Sequence, residues 1–101
     1  MIKKTNKQLD FEALSQAAEC LRILAHPHRL QIVQLLQSGD KISVNELADH
    51  CGLAQPAMSD HLRLMQRCGF LSSERDGRTV YYQIAESHLH EIMKCIQGRF
   101  G

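Results

Sequence analysis

The 101-residue chain has two prolines and six glycines. It carries no Pro/Gly-rich linker, internal repeat or low-complexity tract, which excludes a string of modules. No window is long and apolar enough to span a membrane. The opening stretch "MIKKTNKQLDFEAL" lacks the apolar centre of a secretory signal, so a cytoplasmic location with no membrane partner is expected. Cys20, Cys51, Cys68 and Cys95 contain no C-x-x-C pair and are read as thiols rather than staples. The formal net charge is only +1, so nucleic-acid binding would require basic residues concentrated in one place or doubled by dimerisation. No nucleophile–base pair lies in a supporting motif, so an enzyme is not expected, and neither is a cofactor.

What is present is 44% apolar residues with about a quarter charged, enough for one core and against disorder. Residues 1–10 are expected to be a flexible tail and 11–101 one domain. Phe11, Leu14, Ala18, Leu21 and Ala25 form a stripe at helical spacing. Pro27 suits the first turn of a second helix, whose Leu30, Ile32, Val33, Leu35 and Leu36 cover most of its circumference and make it central. "SGD" closes that helix. In "ISVNEL", Ser43 and Glu46 are spaced for a capping box, with Ile42 and Leu47 as the hydrophobic staple. Gly52 then permits a tight left-handed turn, and a new helix starts at Gln55 and Pro56. Two short helices joined this way make a helix-turn-helix.

After Gly69 the period changes to that of strands. "FLSSER" and "RTVYYQI" flank Asp76-Gly77, a short hairpin signal read here as a turn with positive φ at both residues. A last helix is expected from about Glu86 to Phe100, with Leu89, Ile92, Met93, Ile96 and Phe100 as its stripe. The fold class is mostly α: a winged helix-turn-helix with a two-stranded β-hairpin wing and additional N- and C-terminal helices.

On the helix from Gln55, the residues Met58, Leu62 and Met65 share one face and hold it to the core. Pro56, Ala57, Asp60, Arg63 and Arg67 fall opposite, with Gln55 and Ser59 on the flank and Leu64 placed beneath the wing. A helix with a small, polar leading end enters a major groove. Gln55 suits adenine, Ala57 a thymine methyl, Asp60 a cytosine amino group, and Arg63 and Arg67 phosphates or guanine. Arg75 and Arg78 flank the hairpin tip, where a wing would straddle the backbone. A merely solvated face would leave that basic hairpin unexplained.

"LAHPHRLQIVQLL", "SVNELADHCGLAQPAMSDHLRLMQRCGFL" and "RDGRTVYYQI" together resemble the ArsR/SmtB-type bacterial repressors, from about Leu14 onward. The resemblance implies a homodimer joined through its first and last helices. It also implies an inverted-repeat operator on double-stranded DNA, and repression relieved by a chemical signal. Ala54 departs from the family's frequent Ser and removes an N-cap worth about 1 kcal/mol.

The resemblance also implies where a signal would act. A cysteine pair around "ELADHCG" is absent, since only Cys51 is there. Glu86 and His88 resemble half of a metal site on the last helix, but its second half falls on Arg99 and past the chain end, so no closed zinc shell and no metal are expected. The positions of the sulfide-sensing cysteines hold Gln34 and Gly101. Cys20 and Cys95 remain: with His88 they form the candidate switch, for thiol modification or a soft metal. The alternative reading of both is as small buried hydrophobes, and Cys51 and Cys68, at helix ends, are read as inert. Two further alternatives stay open: a repressor without a ligand, and a winged helix that binds proteins.

Overall fold

The computed structural model describes residues 8–101. Residues 1–7 of the expected tail lie outside the described residues. The elements run α1 (Phe11–Leu24), α2 (Pro27–Leu36), β1 (Ile42–Ser43), α3 (Val44–Cys51), α4 (Gln55–Arg67), β2 (Leu71–Asp76), β3 (Thr79–Ile84) and α5 (Leu89–Phe100). Among the described residues, no helix is long and apolar enough to cross a membrane.

Capping chemistry sets the helix starts. The Asp10 carboxylate accepts from the Ala13 amide at 2.8 Å and opens α1, so Asp10 belongs to the helix rather than to a tail. His26 Nδ1 accepts from the His28 amide and opens α2 around Pro27. The Ser43 hydroxyl accepts from the Glu46 amide at 3.2 Å and donates to the Glu46 carboxylate. The carboxylate therefore answers the hydroxyl rather than the Ser43 backbone. The last helix begins at Leu89, three residues later than expected, because Glu86 bonds the His88 amide and holds a turn there.

The core is one cluster. Ile32, Leu36, Leu47, Met58, Leu62, Met65 and Leu89 are fully buried. Helix α2 runs through its middle, touching α1, α3, α4, α5 and β3, as its all-round apolar sequence requires. α3 ends in a Schellman turn: Gly52 takes φ +66°, its amide donates to the Asp49 carbonyl, and the Leu53 amide donates to Ala48. That left-handed step costs a side-chain-bearing residue about 1–2 kcal/mol and aims α4 across α3.

The wing differs from expectation in two details. The hairpin is there, but Ile42–Ser43 adds a third strand, giving the antiparallel order β1-β3-β2 with Ile42 opposite Tyr82. Ser43, which caps α3, and Ile42 before it thus also pair with the wing's inner strand. The hairpin turn is Gly77–Arg78, not Asp76–Gly77, because Asp76 pairs with Thr79. Only Gly77 has positive φ, at +63°, the pattern of a type II′ turn. Alternation in β3 buries Tyr82, with Val80 and Ile84 packed against the core on the same side.

Ser43→Ala removes the α3 cap and is expected to cost about 1 kcal/mol, whereas Ala54→Ser supplies a missing cap to α4 and is expected to gain a similar amount. Urea unfolding of the two variants should show opposite shifts in midpoint at unchanged slope.

Candidate nucleic-acid interface

Helix α4 is clamped from behind. Met58, Leu62 and Met65 are 0% exposed, and each such burial contributes about 1.5–3 kcal/mol. Gln55, Pro56 and Ala57 at the leading end are exposed. Ala54 caps nothing with its side chain, and Pro56 has no amide hydrogen, so the Gln55 and Ala57 amides point out at the positive end of the helix dipole.

Further along, Asp60 and Arg63 do not stand apart. Arg63 donates to the Asp60 carboxylate at 2.8 Å, an exposed i, i+3 pair. Asp60 therefore faces a cation of its own helix, which fixes the reach of Arg63 and removes the clash with phosphate that an isolated carboxylate would bring. Such a pair adds under about 1 kcal/mol to stability, so its effect is on direction.

A groove of about 280 Å³ separates α4 from the wing. Ser59, Arg63 and Gln66 line it from the helix, and Ser73, Arg75 and Tyr82 from the sheet. Gln66 Nε2 donates to Ser73 Oγ at 3.0 Å and ties the two walls together. A smaller cleft of about 90 Å³ joins Asn45 of α3, Gln55 and Ser59 of α4, and Arg78 and Thr79 of the wing. The structure therefore brings Gln55, Ser59, Arg63, Arg75 and Arg78 to one surface, with Pro56, Ala57 and Asp60 exposed at its front. Arg67 is exposed in the last turn, where its charge acts on Cys68.

Asn45, Gln66 and Ser73 join this surface although sequence reasoning passed over them. Alternation along β2 would have found Ser73. Asn45 and Gln66 become visible only once α3, α4 and the sheet are assembled.

The wing has two unlike faces. Glu74, Arg75 and Asp76 line a larger open groove of about 760 Å³ together with Asp40, Lys41 and Glu46, so four carboxylates there face two cations. Lys41 is hydrogen-bonded and ion-paired to Glu74, and that contact raises the lysine's proton affinity. The carboxylates of this groove would repel a phosphate, which leaves the α4 side as the face for a polyanion.

On the other side of α4, Arg29 is the tie. Its Nε donates to His61 Nδ1 at 3.0 Å and its Nη1 to the Ile23 carbonyl at 3.1 Å, joining the end of α1, the start of α2 and α4. The His26 and His61 rings lie 4.7 Å apart, with His28 at about 6 Å from both. Leu64 shares the helix column of His61 and Cys68, so it belongs to this side and not beneath the wing.

The expected switch residues do not converge within the chain. Cys95 is exposed on α5 of the single chain, while Cys51 is buried. His88 is bonded to Glu86 through both its amide and its ring, and the contact lowers the Glu86 pKa. Among the described residues, no group of three His, Cys, Asp or Glu side chains is placed to hold a metal. Cys20 instead has Cys68 for a neighbour.

A recognition helix clamped at the rear, a glycine turn before it and a basic hairpin beside it define a winged helix-turn-helix of the nucleic-acid-binding class. Residues 24–74 match the helix-turn-helix domain family. The chain is 40% identical over 82 residues to the HTH-type transcriptional repressor SmtB of Mycobacterium tuberculosis, covering 81% of this chain and 60% of that protein's length. It is 34% identical to the regulator NmtR of the same species, covering 84% and 70%. The homodimeric winged helix-turn-helix DNA-binding domain of a possible ArsR-family regulator of Mycobacterium bovis superposes with a TM-score of 0.75. That match is at 26% identity, over 96% of this chain and 87% of that one. The chain belongs to the ArsR/SmtB family of winged helix-turn-helix transcriptional repressors, a non-enzymatic class.

Burial, the Arg29 guanidinium and the two neighbouring histidines lower the His61 pKa, against a smaller opposing pull from Asp60. The unfolded chain therefore binds that proton more tightly, and stability rises with pH here. The contribution is complete above the unfolded value of about 6.5 and is lost as pH falls below it. Melting temperature measured from pH 5 to 7.5 should climb in the native protein, and His61→Gln should flatten the climb.

Proposed function

We propose that the chain acts as a homodimeric repressor of transcription. It binds double-stranded DNA at an inverted repeat and is released by a chemical signal acting on thiols or through a soft metal. The observation that carries this reading is the division of α4: Met58, Leu62 and Met65 are sealed while Gln55, Pro56 and Ala57 stay open. Gln55 and Ala57 read base edges, and Ser59, with Asp60 holding Arg63, follows the groove wall. Arg75 and Arg78 hold phosphates from the wing, and Arg67 supplies charge further along the helix.

Exposed apolar residues support the dimer. Phe11 is 83% exposed, Leu14 and Leu21 are about half exposed on α1, and Phe100 is 78% exposed on α5. Apolar surface of that extent marks an interaction site, and a two-fold pairing of these faces sets two α4 helices on one duplex. Half-sites then lie about 34–36 Å apart, one helical turn, or a multiple of that. A repressor of this kind works in the cytoplasm.

Footprinting on the DNA upstream of the chain's own coding region is the direct test, and a protected inverted repeat is the expected result. Its affinity should fall steeply as salt rises, with Arg75→Ala and Arg78→Ala each reducing the slope by about 1 and weakening all sequences alike. Gln55→Ala should cost about 1–3 kcal/mol at the operator and relax preference at one base pair. Binding of a protein instead of DNA, with little salt dependence, would displace this reading.

A further inference from the structure

Two cysteines distant in sequence meet in the fold. Cys20 lies half-buried in α1, near the end that packs against α4, and Cys68 is the half-buried C-cap residue of α4. Both pack against the same core cluster, and α1 and α4 are in contact. Arg67 and Arg29 direct positive charge at Cys68, and Cys20 is the neighbouring thiol whose charge acts on it. Among the described residues no third ligand joins them in a metal shell, so the pair suits chemistry between two sulfurs rather than a tetrahedral ion.

We propose that Cys20 and Cys68 form an oxidisable dithiol that a hydroperoxide closes to an intrachain disulfide, and that closure weakens the hold of α4 and the wing on DNA. The second clause rests on the DNA-binding reading above, while the first stands without it. One thiolate attacks a peroxide oxygen: an S–O bond forms, the O–O bond breaks, and the departing hydroxide takes a proton and becomes water. The neighbouring thiolate then attacks the sulfenic sulfur, the S–S bond forms, the S–O bond breaks, and a second water leaves. The sulfurs lose two electrons and the peroxide gains two.

The local charges shape the reaction. Arg67 and Arg29 favour the thiolate that both steps need. Burial and the adjoining Cys20 outweigh them and push the Cys68 thiol above its ordinary range, so closure quickens as pH rises.

The position of Cys68 explains why closure would reach the DNA-reading elements. Its amide donates to the Leu64 carbonyl, the Gly69 amide to Gln66, and the Phe70 amide to Met65, a Schellman corner that leads straight into β2. A disulfide holds its sulfurs at about 2.0 Å, closer than two thiols in contact. Closing it draws the corner shared by α4 and the wing toward α1, the helix with the exposed apolar face.

The test uses the full-length reduced chain and a duplex that this reduced protein selects from a random DNA pool. Hydrogen peroxide in modest excess is expected to consume two of the four thiols and to join the tryptic peptides 8–22 and 68–75. It is also expected to weaken binding about tenfold, within the range of ordinary allosteric coupling. Cys20→Ser and Cys68→Ser should each bind the duplex when reduced and lose both responses, with the alanine variants as a second pair if serine disturbs packing. Cys95→Ser should keep both responses.

A cross-link through Cys95, a sulfenic acid trapped by dimedone that never resolves, or four unchanged thiols would overturn the pair. A clean Cys20–Cys68 link with unchanged affinity would overturn the switch. If the reduced chain selects no duplex, the DNA-binding reading fails instead, and the peptide map still decides the pair.

Discussion

The burial of Met58, Leu62 and Met65 is the contact on which the rest of the molecule depends. These side chains sit three and four residues apart, so one face of α4 is committed to the core and the opposite face to the outside. Rotating the helix to bury another face would expose all three at a cost of several kcal/mol and would bring Asp60 and Arg63 inside. Everything that points outward from α4 therefore does so because something else points inward. Two of the three are methionines, whose flexible thioethers adapt to irregular gaps in a core.

Around that clamp the charges are sorted by surface rather than by net amount. The whole chain is almost neutral, yet Arg63, Arg75 and Arg78 meet along the α4 side of the wing. Glu74 and Asp76 face the other groove, where Lys41 partners Glu74. The period of two along β2 underlies this sorting, since alternate residues leave the sheet on opposite faces, and Arg75 borders both grooves. Asp60 fits the same logic, because its carboxylate is occupied by Arg63. A polyanion thus meets a locally basic surface on a protein of small net charge, which favours one orientation over non-specific attraction.

The back of α4 is held differently, by polar ties. Arg29 spans α1, α2 and α4 through two hydrogen bonds, and the rings of His26, His28 and His61 gather beside it. Next along the same column comes Cys68, with Cys20 opposite. One face of the recognition helix is thus closed by aliphatic packing that responds to little. The adjoining face carries the His61 imidazole, whose proton affinity is lowered there, and the Cys68 thiol proposed above to be oxidisable. A signal arriving on that side would act on the orientation of α4 without dismantling the core.

Much of this was legible in the chain itself. Helix starts at Ser43 and Pro27, the turn at Gly52, the hairpin near Gly77 and the inward face of α4 follow from local rules of capping, backbone freedom and periodicity. Those rules operate within a few residues and are written in order along the sequence. What they cannot express is which distant segments become neighbours. The third strand at Ile42–Ser43, the tie from Arg29 to His61 and the meeting of Cys20 with Cys68 all join residues far apart in the chain, and even the nearer pairing of Gln66 with Ser73 crosses from a helix to a strand. Only the packing of helices across one another decided them, because contact across a core depends on the sum of all the faces buried and not on any one segment's pattern.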